Sequence, residues 1–226
     1  MANLTGQDII NFFKRLVGDE SISDDLALDL ANTAKDEIEE ERGWRMLLVK
    51  DTSKTFGPGD DYTTAKDLPD DFRVEHKVAL VDSEGNEVEY EPIPFENLVK
   101  NKDSDYYSID YANNKLYISG SVSKTYTIYL YYFKFTDDLT LTTSPTWPSR
   151  FHKIIPYKMA EIWLAGIDAD TLTRLQWTVH KEVGDRLYKA MKRWDATLWS
   201  RSMGDRTIFP KETRDLRTNV IEELAD

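Results

Sequence analysis

The stretch that decides the fold is Thr125–Phe135, which has the sequence TYTIYLYYFKF. Every even-numbered position from Tyr126 to Tyr132 is aromatic or aliphatic, and so are most of the odd-numbered positions. Successive side chains of a strand point to opposite faces, so both faces of this run are apolar. The run therefore predicts a β-strand that is covered on both sides.

Shorter strands precede this run and are separated by turn residues. They are predicted at Trp44–Lys50, Phe72–Val81, Glu87–Glu91, Tyr106–Tyr111 and Lys115–Ser119. The Asn113-Asn114 pair before the last of them tolerates the left-handed backbone that a tight hairpin requires. Residues 44–147 are therefore predicted to form one antiparallel β unit that is barrel-like or sandwich-like.

Helical periodicity is found only toward the two ends of the chain. Leu4–Val17 carries its apolar residues on one broad stripe, and Gly18 predicts the end of this helix. Ser23 is followed by two aspartates, which suit the positive end of a helix dipole. Ser23 therefore predicts the cap of a second helix, which continues to about Arg42.

Two more helices are predicted after Pro148. The first begins near Ser149 and contains Pro156, which either kinks the helix or marks its start, and we expect a kink. The second, Thr171–Trp199, is a long amphipathic helix with an apolar residue at every third or fourth position. Residues 204–226 hold only scattered apolar side chains and predict a tail that another molecule orders.

Taken in order, these elements predict an α+β protein with a discontinuous helical domain. Residues 1–43 and 148–203 are expected to form one helical bundle, because neither pair of helices alone buries its apolar stripe. Residues 44–147 are the inserted β unit, and residues 204–226 are an extended C-terminal tail.

The composition excludes several classes of protein. The 226 residues include 41 acidic and 29 basic side chains, a formal net charge of -12, and no cysteine. An acidic chain disfavours sequence-blind DNA binding, and the lack of cysteine removes disulfides and zinc-thiolate sites. No run approaches the roughly 20 apolar residues that span a bilayer, so no membrane partner is expected. The charge is uneven, since residues 148–226 alone carry a positive net charge, +2.

No catalytic or cofactor signature is present, so no enzyme, metal or cofactor is predicted. The chain lacks phosphate-loop, dinucleotide-binding, zinc-protease and serine-hydrolase motifs. Its histidines, His76, His152 and His180, have no partner at ligand spacing and are expected to be structural. The pair Asp60-Asp61 most resembles a cation site, but it lacks the alternating oxygen ligands of a calcium loop and predicts an exposed turn.

Two other functions stay open from the residues alone. Tyr129 and Tyr131 could form a stacking surface, which would make the protein a monomeric binding module for a glycan or peptide. Exposure of both rings on one patch would favour that function. An enzyme without a familiar motif would need a deep pocket into which Asp or His side chains converge.

The stretch Ala34–Leu47 has the sequence AKDEIEEERGWRML. Its helix followed by Arg-x-Trp and Leu resembles the head-to-tail connector (adaptor) proteins of tailed bacteriophages. The order of segments is similar too, including the Trp147–Phe151 entry into a third helix, a long helix and a C-terminal tail. The β segment of about 100 residues is closer to the larger, tail-tube-like adaptors than to the small all-helical connectors.

The resemblance implies a structural protein of the virion, located at the head-to-tail junction and present in the host cytoplasm during assembly. Such adaptors sit as a ring, typically of twelve subunits, beneath the portal protein. They extend the channel through which double-stranded DNA passes without sequence-specific binding, and they provide a platform for a downstream tail or nozzle protein. A chain that is a monomer before it meets the portal also fits this expectation.

Under the same expectation two sets of residues acquire roles. The C-terminal tail is expected to bind the portal through basic side chains and apolar anchors, namely Arg201, Arg206, Ile208, Phe209, Lys211, Arg214 and Arg217. An acidic run is the candidate channel lining, because charges of one sign repel DNA phosphates. It consists of Asp36, Glu37, Glu39, Glu40 and Glu41.

Overall fold

The computed structural model of the protein describes residues 3–102, 104–166 and 171–202. The chain forms two compact units. The helical unit combines Met1–Met46 with Thr136–Asp226, and the sheet unit is Leu47–Phe135. The protein is therefore α+β.

In chain order the helices are α1 (Gly6–Val17), α2 (Asp24–Glu40), α3 (Phe95–Leu98), α4 (Ile154–Gly166) and α5 (Thr171–Ser202). Short 3-10 turns lie at Arg45–Leu47, Val99–Asn101 and Ser149–Phe151. The strands are β1 (Leu48–Asp51), β2 (Thr55–Phe56), β3 (Lys66–Asp67), β4 (Phe72–Val81), β5 (Glu87–Pro92), β6 (Tyr106–Asp110), β7 (Lys115–Ile118) and β8 (Tyr126–Lys134).

Local capping sets the ends of the first two helices. Thr5 Oγ1 accepts a hydrogen bond from the Asp8 amide, and the Asp8 carboxylate accepts one from the Thr5 amide, which forms a capping box before α1. Gly18 ends α1 at φ 70°, a left-handed conformation that glycine adopts without strain. Ser23 caps α2 by accepting a hydrogen bond from the Leu26 amide at 3.3 Å. The predicted stop at Gly18 and the predicted cap at Ser23 are confirmed.

The predicted kink at Pro156 is wrong. The proline is the third residue of α4, which begins at Ile154 and follows the 3-10 turn that starts at Ser149. A residue in the first turn of a helix donates no intrahelical hydrogen bond, so the missing N–H of proline is tolerated there. Of the two alternatives, the proline therefore marks the start of the helix, since it lies in the first turn.

Helices from both ends of the chain pack into one core in the helical unit. α4 contacts α1, α2 and α5. Ile9 and Phe13 of α1 and Met159 of α4 are fully buried. Phe12 and Tyr157 join the same two helices by an edge-to-face contact, with 5.7 Å between the ring centroids.

Residues 136–148, here named the strap, are held against α2 by buried charges. Lys35 is fully buried and donates hydrogen bonds to the carbonyl and hydroxyl oxygens of Thr136 at 2.9 and 3.2 Å. Glu39, also fully buried, accepts hydrogen bonds from the Thr136 hydroxyl at 2.6 Å and from Trp147 Nε1 at 2.9 Å. Because a buried charge is costly without such partners, these bonds make the pairing of strap and helix specific.

The strap also bonds to α1 and to the residues that precede it. The Gly6 amide donates to the Thr143 carbonyl at 2.8 Å, and a Cβ at Gly6 would lie 2.1 Å from the Thr140 carbonyl oxygen, so this position requires glycine. His152 Nδ1 accepts a hydrogen bond from the Leu4 amide at 3.2 Å, and its Nε2 lies 2.9 Å from a strap carbonyl oxygen. His152 thus holds two backbone segments together.

The sheet unit is one curled, open sheet in the order β1-β8-β4-β5-β6-β7-β3, with β2 also paired to β8. Its pairs are antiparallel except β5–β6, which is parallel at Glu91–Pro92 and Tyr106–Tyr107. The helical turns at residues 95–101 supply the crossover that a parallel pair needs. The prediction of a purely antiparallel unit is wrong at this pair. Within the described residues β1 and β3 do not pair, so the sheet is a half-barrel rather than a closed barrel or a sandwich.

Strands β4 and β8 form the centre of this sheet. β4 has its predicted bounds, Phe72–Val81, and pairs with β8 from Phe72 to Val81, with irregularities in the register at Arg73 and His76. On one face Val78 and Leu80 pack with Ile128 and Leu130 in a buried apolar core. The strand predicted most strongly from the sequence therefore has the position that its two apolar faces require.

Replacing Lys35 with methionine tests the buried hydrogen bonds that hold the strap against α2. The change removes the buried hydrogen bonds that Lys35 Nζ donates to the carbonyl oxygens of Thr136 and Asp137, so we expect the free energy of unfolding to fall by about 3 kcal/mol. Chemical denaturation of wild type and variant measures this difference. Lys158→Met is the matched control, because Lys158 is half-buried and pairs with the exposed acids Glu37 and Glu161, so its loss should cost at most about 1 kcal/mol. If both variants lose the same amount of unfolding free energy, the buried bonds of Lys35 do not have this role.

Candidate docking surface on the helical unit

The acidic run Asp36–Glu41 occupies the C-terminal end of α2. This end of a helix is the negative pole of its dipole, and no basic residue lies in the last turn of α2. Five carboxylates at this pole repel one another and the dipole. The run is therefore stable only with donors or cations from other elements, or with a partner that supplies them.

Asp36 and Glu37 are acids with exposed side chains, and each lies beside one lysine. Asp36 Oδ1 lies 3.1 Å from Lys35 Nζ, and Glu37 Oε2 lies 3.1 Å from Lys158 Nζ of α4. The side chains of both acids are more than 40% exposed, at 44% and 47%. Solvent screens the pair of Glu37 and Lys158, so this pair contributes little to stability. Lys35 is buried and donates its hydrogen bonds to the strap, but the side chain of Asp36 is exposed, so both carboxylates are accessible to a partner.

Glu41 joins α2 to α5. Its Oε1 lies 2.6 Å from Lys192 Nζ, and the Tyr188 hydroxyl donates a hydrogen bond to its Oε2. Burial raises the pKa of Glu41, but the bonds to Lys192 and Tyr188 outweigh burial and bring the pKa below its ordinary value. The carboxylate thus stays charged while it links the two helices.

Glu39 takes no part in this surface, because it is fully buried and bound to the strap. Glu40 is exposed and forms no ion pair with a described residue. Asp29, Asp36 and Glu40 lie on one side of α2, since their spacing of seven and eleven residues fits whole turns of a helix. We name these three residues the acidic stripe. The predicted run is thus divided among the core, the acidic stripe and the contacts with α4 and α5.

The Arg42-Gly43-Trp44 segment closes the end of α2. Trp44 is fully buried, and its Nε1 donates to the Ile38 carbonyl at 2.7 Å, one of the oxygens left free at a helix C-terminus. The Arg42 guanidinium lies 5.2 Å from the Trp44 ring centroid. A 3-10 turn at Arg45–Leu47 follows, where the sequence had predicted a strand. The residues that carry the resemblance to adaptors therefore have a structural role.

Asp195 of α5 is a buried carboxyl that binds the segment at the end of α2, through Arg42 and Arg45. Its Oδ1 accepts a hydrogen bond from the Arg45 amide at 2.7 Å, and its Oδ2 lies 3.5 Å from Arg42 Nη2. Burial raises the pKa of Asp195 to about 6, and the nearby Arg42 offsets only part of this increase. Asp195 therefore changes its protonation in mildly acidic solution.

A groove of about 530 Å³ lies between α2, α4 and α5. Its floor is apolar and aromatic and includes Ile38, Ile154, Tyr157 and Trp177. Gly184 lets α5 approach α4 closely, because a Cβ there would lie 2.9 Å from Tyr157 Cβ. An apolar groove between helices is a common docking site for a helix of another chain.

The rim of this groove is acidic. Five carboxylates and two lysines line it, which gives a formal net charge of -3. The carboxylates are Glu37, Glu40, Glu41, Glu161 and Asp185, and the lysines are Lys158 and Lys181. A partner that fills the groove must bring apolar side chains for the floor and basic side chains for the rim.

Comparison with protein families explains this combination of a helical unit and a sheet unit. The SU10 adaptor protein family matches residues 4–209, which is most of the chain. The chain belongs to this family. The adaptor is thus a structural protein of phage, and the predicted membership of the head-to-tail adaptors is confirmed. No curated protein matches the adaptor.

Other candidate sites in the adaptor are used locally. Asp60 accepts a hydrogen bond from the Gly57 amide at 2.8 Å, and Asp61 accepts one from the Thr63 amide at 2.9 Å, so this acidic pair forms a turn as expected. Both residues are half-buried, whereas an exposed turn was predicted. The His, Asp and Glu side chains of the described ranges do not gather in a group that could hold a metal ion. Of the helices that the structure describes, none has both the length and the apolar character to cross a membrane.

Tyr129 and Tyr131 do not form an exposed aromatic patch on the sheet unit. Both are half-buried, and Lys50 Nζ lies 3.3 Å from the Tyr129 ring centroid. The exposure that would favour a glycan- or peptide-binding module is therefore not found at these two tyrosines.

The predicted portal-binding residues of the adaptor lie outside the described residues, apart from the backbone of Arg201 in the last turn of α5. They are Arg201, Arg206, Ile208, Phe209, Lys211, Arg214 and Arg217. Sequence reasoning missed the groove, because its lining comes from three helices that are distant in the chain. It also missed the buried carboxyl of Asp195, which looks like a solvent-exposed position in a charged helix.

Replacing Asp195 with asparagine tests the raised pKa. The folded pKa, about 6, lies above the value of about 4 that an unfolded chain has, so the folded adaptor binds more protons between these pH values. The stability of wild type should therefore fall as the pH rises from 4 to 7, by about 2 to 3 kcal/mol from this group alone. Asparagine does not titrate, so we expect the unfolding free energy of wild type to fall relative to that of Asp195→Asn as the pH rises over this range. Urea titrations of both proteins at each pH measure the difference. A difference that does not change with pH would show that Asp195 titrates normally.

Proposed function

We propose that this adaptor assembles as a ring of twelve subunits beneath the portal protein, where it extends the DNA channel and provides the attachment platform for a tail or nozzle protein. The family match over residues 4–209 carries this proposal, because it includes residues of both the helical and the sheet unit. The adaptor then acts in the virion at the head-to-tail junction, after assembly in the host cytoplasm. The groove with an apolar floor and an acidic rim supports a role in docking proteins rather than in catalysis.

The C-terminal tail is the proposed portal-binding segment. Basic side chains would pair with portal carboxylates, and the apolar pair Ile208 and Phe209 would fill pockets on the portal surface. The tail follows α5, whose last residue is Ser202. A segment with so few apolar residues has little core of its own to bury, which favours folding on a partner.

The acidic stripe is the proposed channel lining. Asp36 and Glu40 are the two members of the predicted lining that join this stripe, and Asp29 extends it along α2. Glu40 also lines the groove, so the stripe borders the groove rim at this residue. The other three predicted residues are buried or paired with α4 and α5. Carboxylates repel DNA phosphates over a range of about 8 Å at physiological salt, so a stripe that faces the channel would keep DNA from adhering to its wall.

Truncation after Ser202 tests the portal-binding tail. The shortened adaptor should keep its thermal unfolding midpoint, because the described core residues all precede the cut, but it should no longer bind purified portal in sedimentation and electron microscopy. A chain that lacks only residues 218–226 is the matched control and should bind, since it retains every base of the tail. Normal portal binding by the Ser202-ended chain would rule out the tail as the docking segment.

Neutralising the acidic stripe tests the channel lining. Phage that carry Asp29→Asn and Asp36→Asn, which leave the groove rim unchanged, should release DNA several-fold more slowly, because phosphates then meet a wall with less repulsive charge. The rate of DNA release from purified particles measures the effect. Glu20→Gln and Glu84→Gln neutralise two exposed acids elsewhere and give the same net charge as the stripe variant, so they should leave the rate unchanged. If the stripe variant ejects DNA at the wild-type rate, this lining is wrong.

A further inference from the structure

We infer that neighbouring adaptor subunits meet through α5, so that the outward face of α5 in one copy fills the acidic groove between α2, α4 and α5 of the next copy. This inference rests on the proposed ring and names the contact that closes it. The argument begins with the outward face itself, which is defined by Val179, Arg186, Lys189 and Arg193.

The outward face of α5 combines an exposed apolar side chain with bases that no described acid pairs with. Val179 is 64% exposed, more than any other large apolar residue in the described part of the chain. Arg186, Lys189 and Arg193 are exposed as well, and none of the three forms an ion pair with a described residue. The nearby acid Glu182 does not pair with Arg186, although a spacing of four residues would allow it.

The outward face is complementary to the groove in charge, and both have an apolar part. The groove offers an apolar floor and a rim of formal charge -3. The outward face offers a valine and, with Glu182 included, a formal charge of +2. Opposite charges around an apolar contact favour association and oppose the pairing of like surfaces, because a groove that met another groove would bring two acidic rims together.

The two surfaces lie on different sides of the same helix. With 3.6 residues per turn, the mean direction of the groove-lining Lys181, Gly184 and Tyr188 lies roughly 140° around α5 from the mean direction of the three bases. A twofold contact would need both surfaces of one copy to face the same neighbour, which surfaces on different sides of one helix cannot do. The contact is therefore heterologous, and a heterologous contact that repeats with a closing rotation produces a ring.

Chemical cross-linking between two chains tests this contact, and the natural absence of cysteine makes the adaptor suited to it. One chain carries Arg186→Cys on the outward face, and the other carries Glu161→Cys on the groove rim. The two are mixed, assembled on purified portal and treated with a flexible bismaleimide. We expect the mixed sample to give at least tenfold more cross-linked dimer than either chain alone, because a heterologous contact places unlike positions together.

The matched control replaces Glu161→Cys with Asp29→Cys, which lies on the acidic stripe and outside the groove. This mixture should give no more dimer than the single chains. Dimers from Arg186→Cys alone, or equal yields from the groove and stripe mixtures, would overturn the contact. If rings form on the portal without the expected cross-link, the inferred contact is wrong but the proposed ring is not contradicted. If wild-type adaptor does not assemble on the portal, both the contact and the proposed ring are wrong.

Charge reversal supplies a second readout that a misplaced cross-linker cannot affect. Arg186→Glu, Lys189→Glu and Arg193→Glu together should reduce the adaptor copies bound per portal about tenfold, since three bases that face an acidic rim become acids. The thermal unfolding midpoint of the free chain should not change, because these bases form no ion pair among the described residues. Adding Glu161→Lys and Asp185→Lys to the same chain should restore assembly. Loss of copies without restoration would assign the bases to another partner and contradict the inference.

Discussion

The bonds that Lys35 and Glu39 make to Thr136 are the constraint on which the helical unit depends. The strap forms neither helix nor strand, so side chains must hold it in place of a backbone ladder. A spacing of four residues puts both charges on one side of α2, where they bind the same threonine through its carbonyl and its hydroxyl. Once the strap is held there, it can bond to α1 and lead into α4, so the core of the unit is assembled around two buried charges.

Much of the fold could be predicted because its signals are local. Gly18 and Ser23 act within one turn of their helices, and the bounds of β4 follow from its own alternation of side chains. The parallel pair β5–β6 and the two-residue strands β2 and β3 could not be predicted, because their pairing depends on segments far away in the chain. Pro156 was ambiguous for a related reason, since its effect depends on where the helix begins.

The candidate site was predicted only in part. An acidic run looks solvent-exposed in a sequence, and this holds for Asp36 and Glu40 but not for Glu39, whose partners come from the strap. The family could be recognised from Arg42-Gly43-Trp44 and the order of segments, and it is shown by the match over residues 4–209. The groove could not be predicted, because three helices must pack before its floor and rim exist. The charge pattern of one helix shows which side chains share a face of that helix, but it does not show which faces of other helices lie beside them.

The pairing of β1 with β8 has a consequence for how such proteins diversify. Leu48 lies opposite Phe133, so the first and last strands of the sheet unit are neighbours and its two chain ends emerge side by side, about 5 Å apart. A segment whose ends lie so close can be enlarged, shortened or exchanged as a cassette without changing the path of the chain on either side. The sheet unit is thus the part of this architecture in which evolution can vary size and specificity most freely, while the helices keep their length and order.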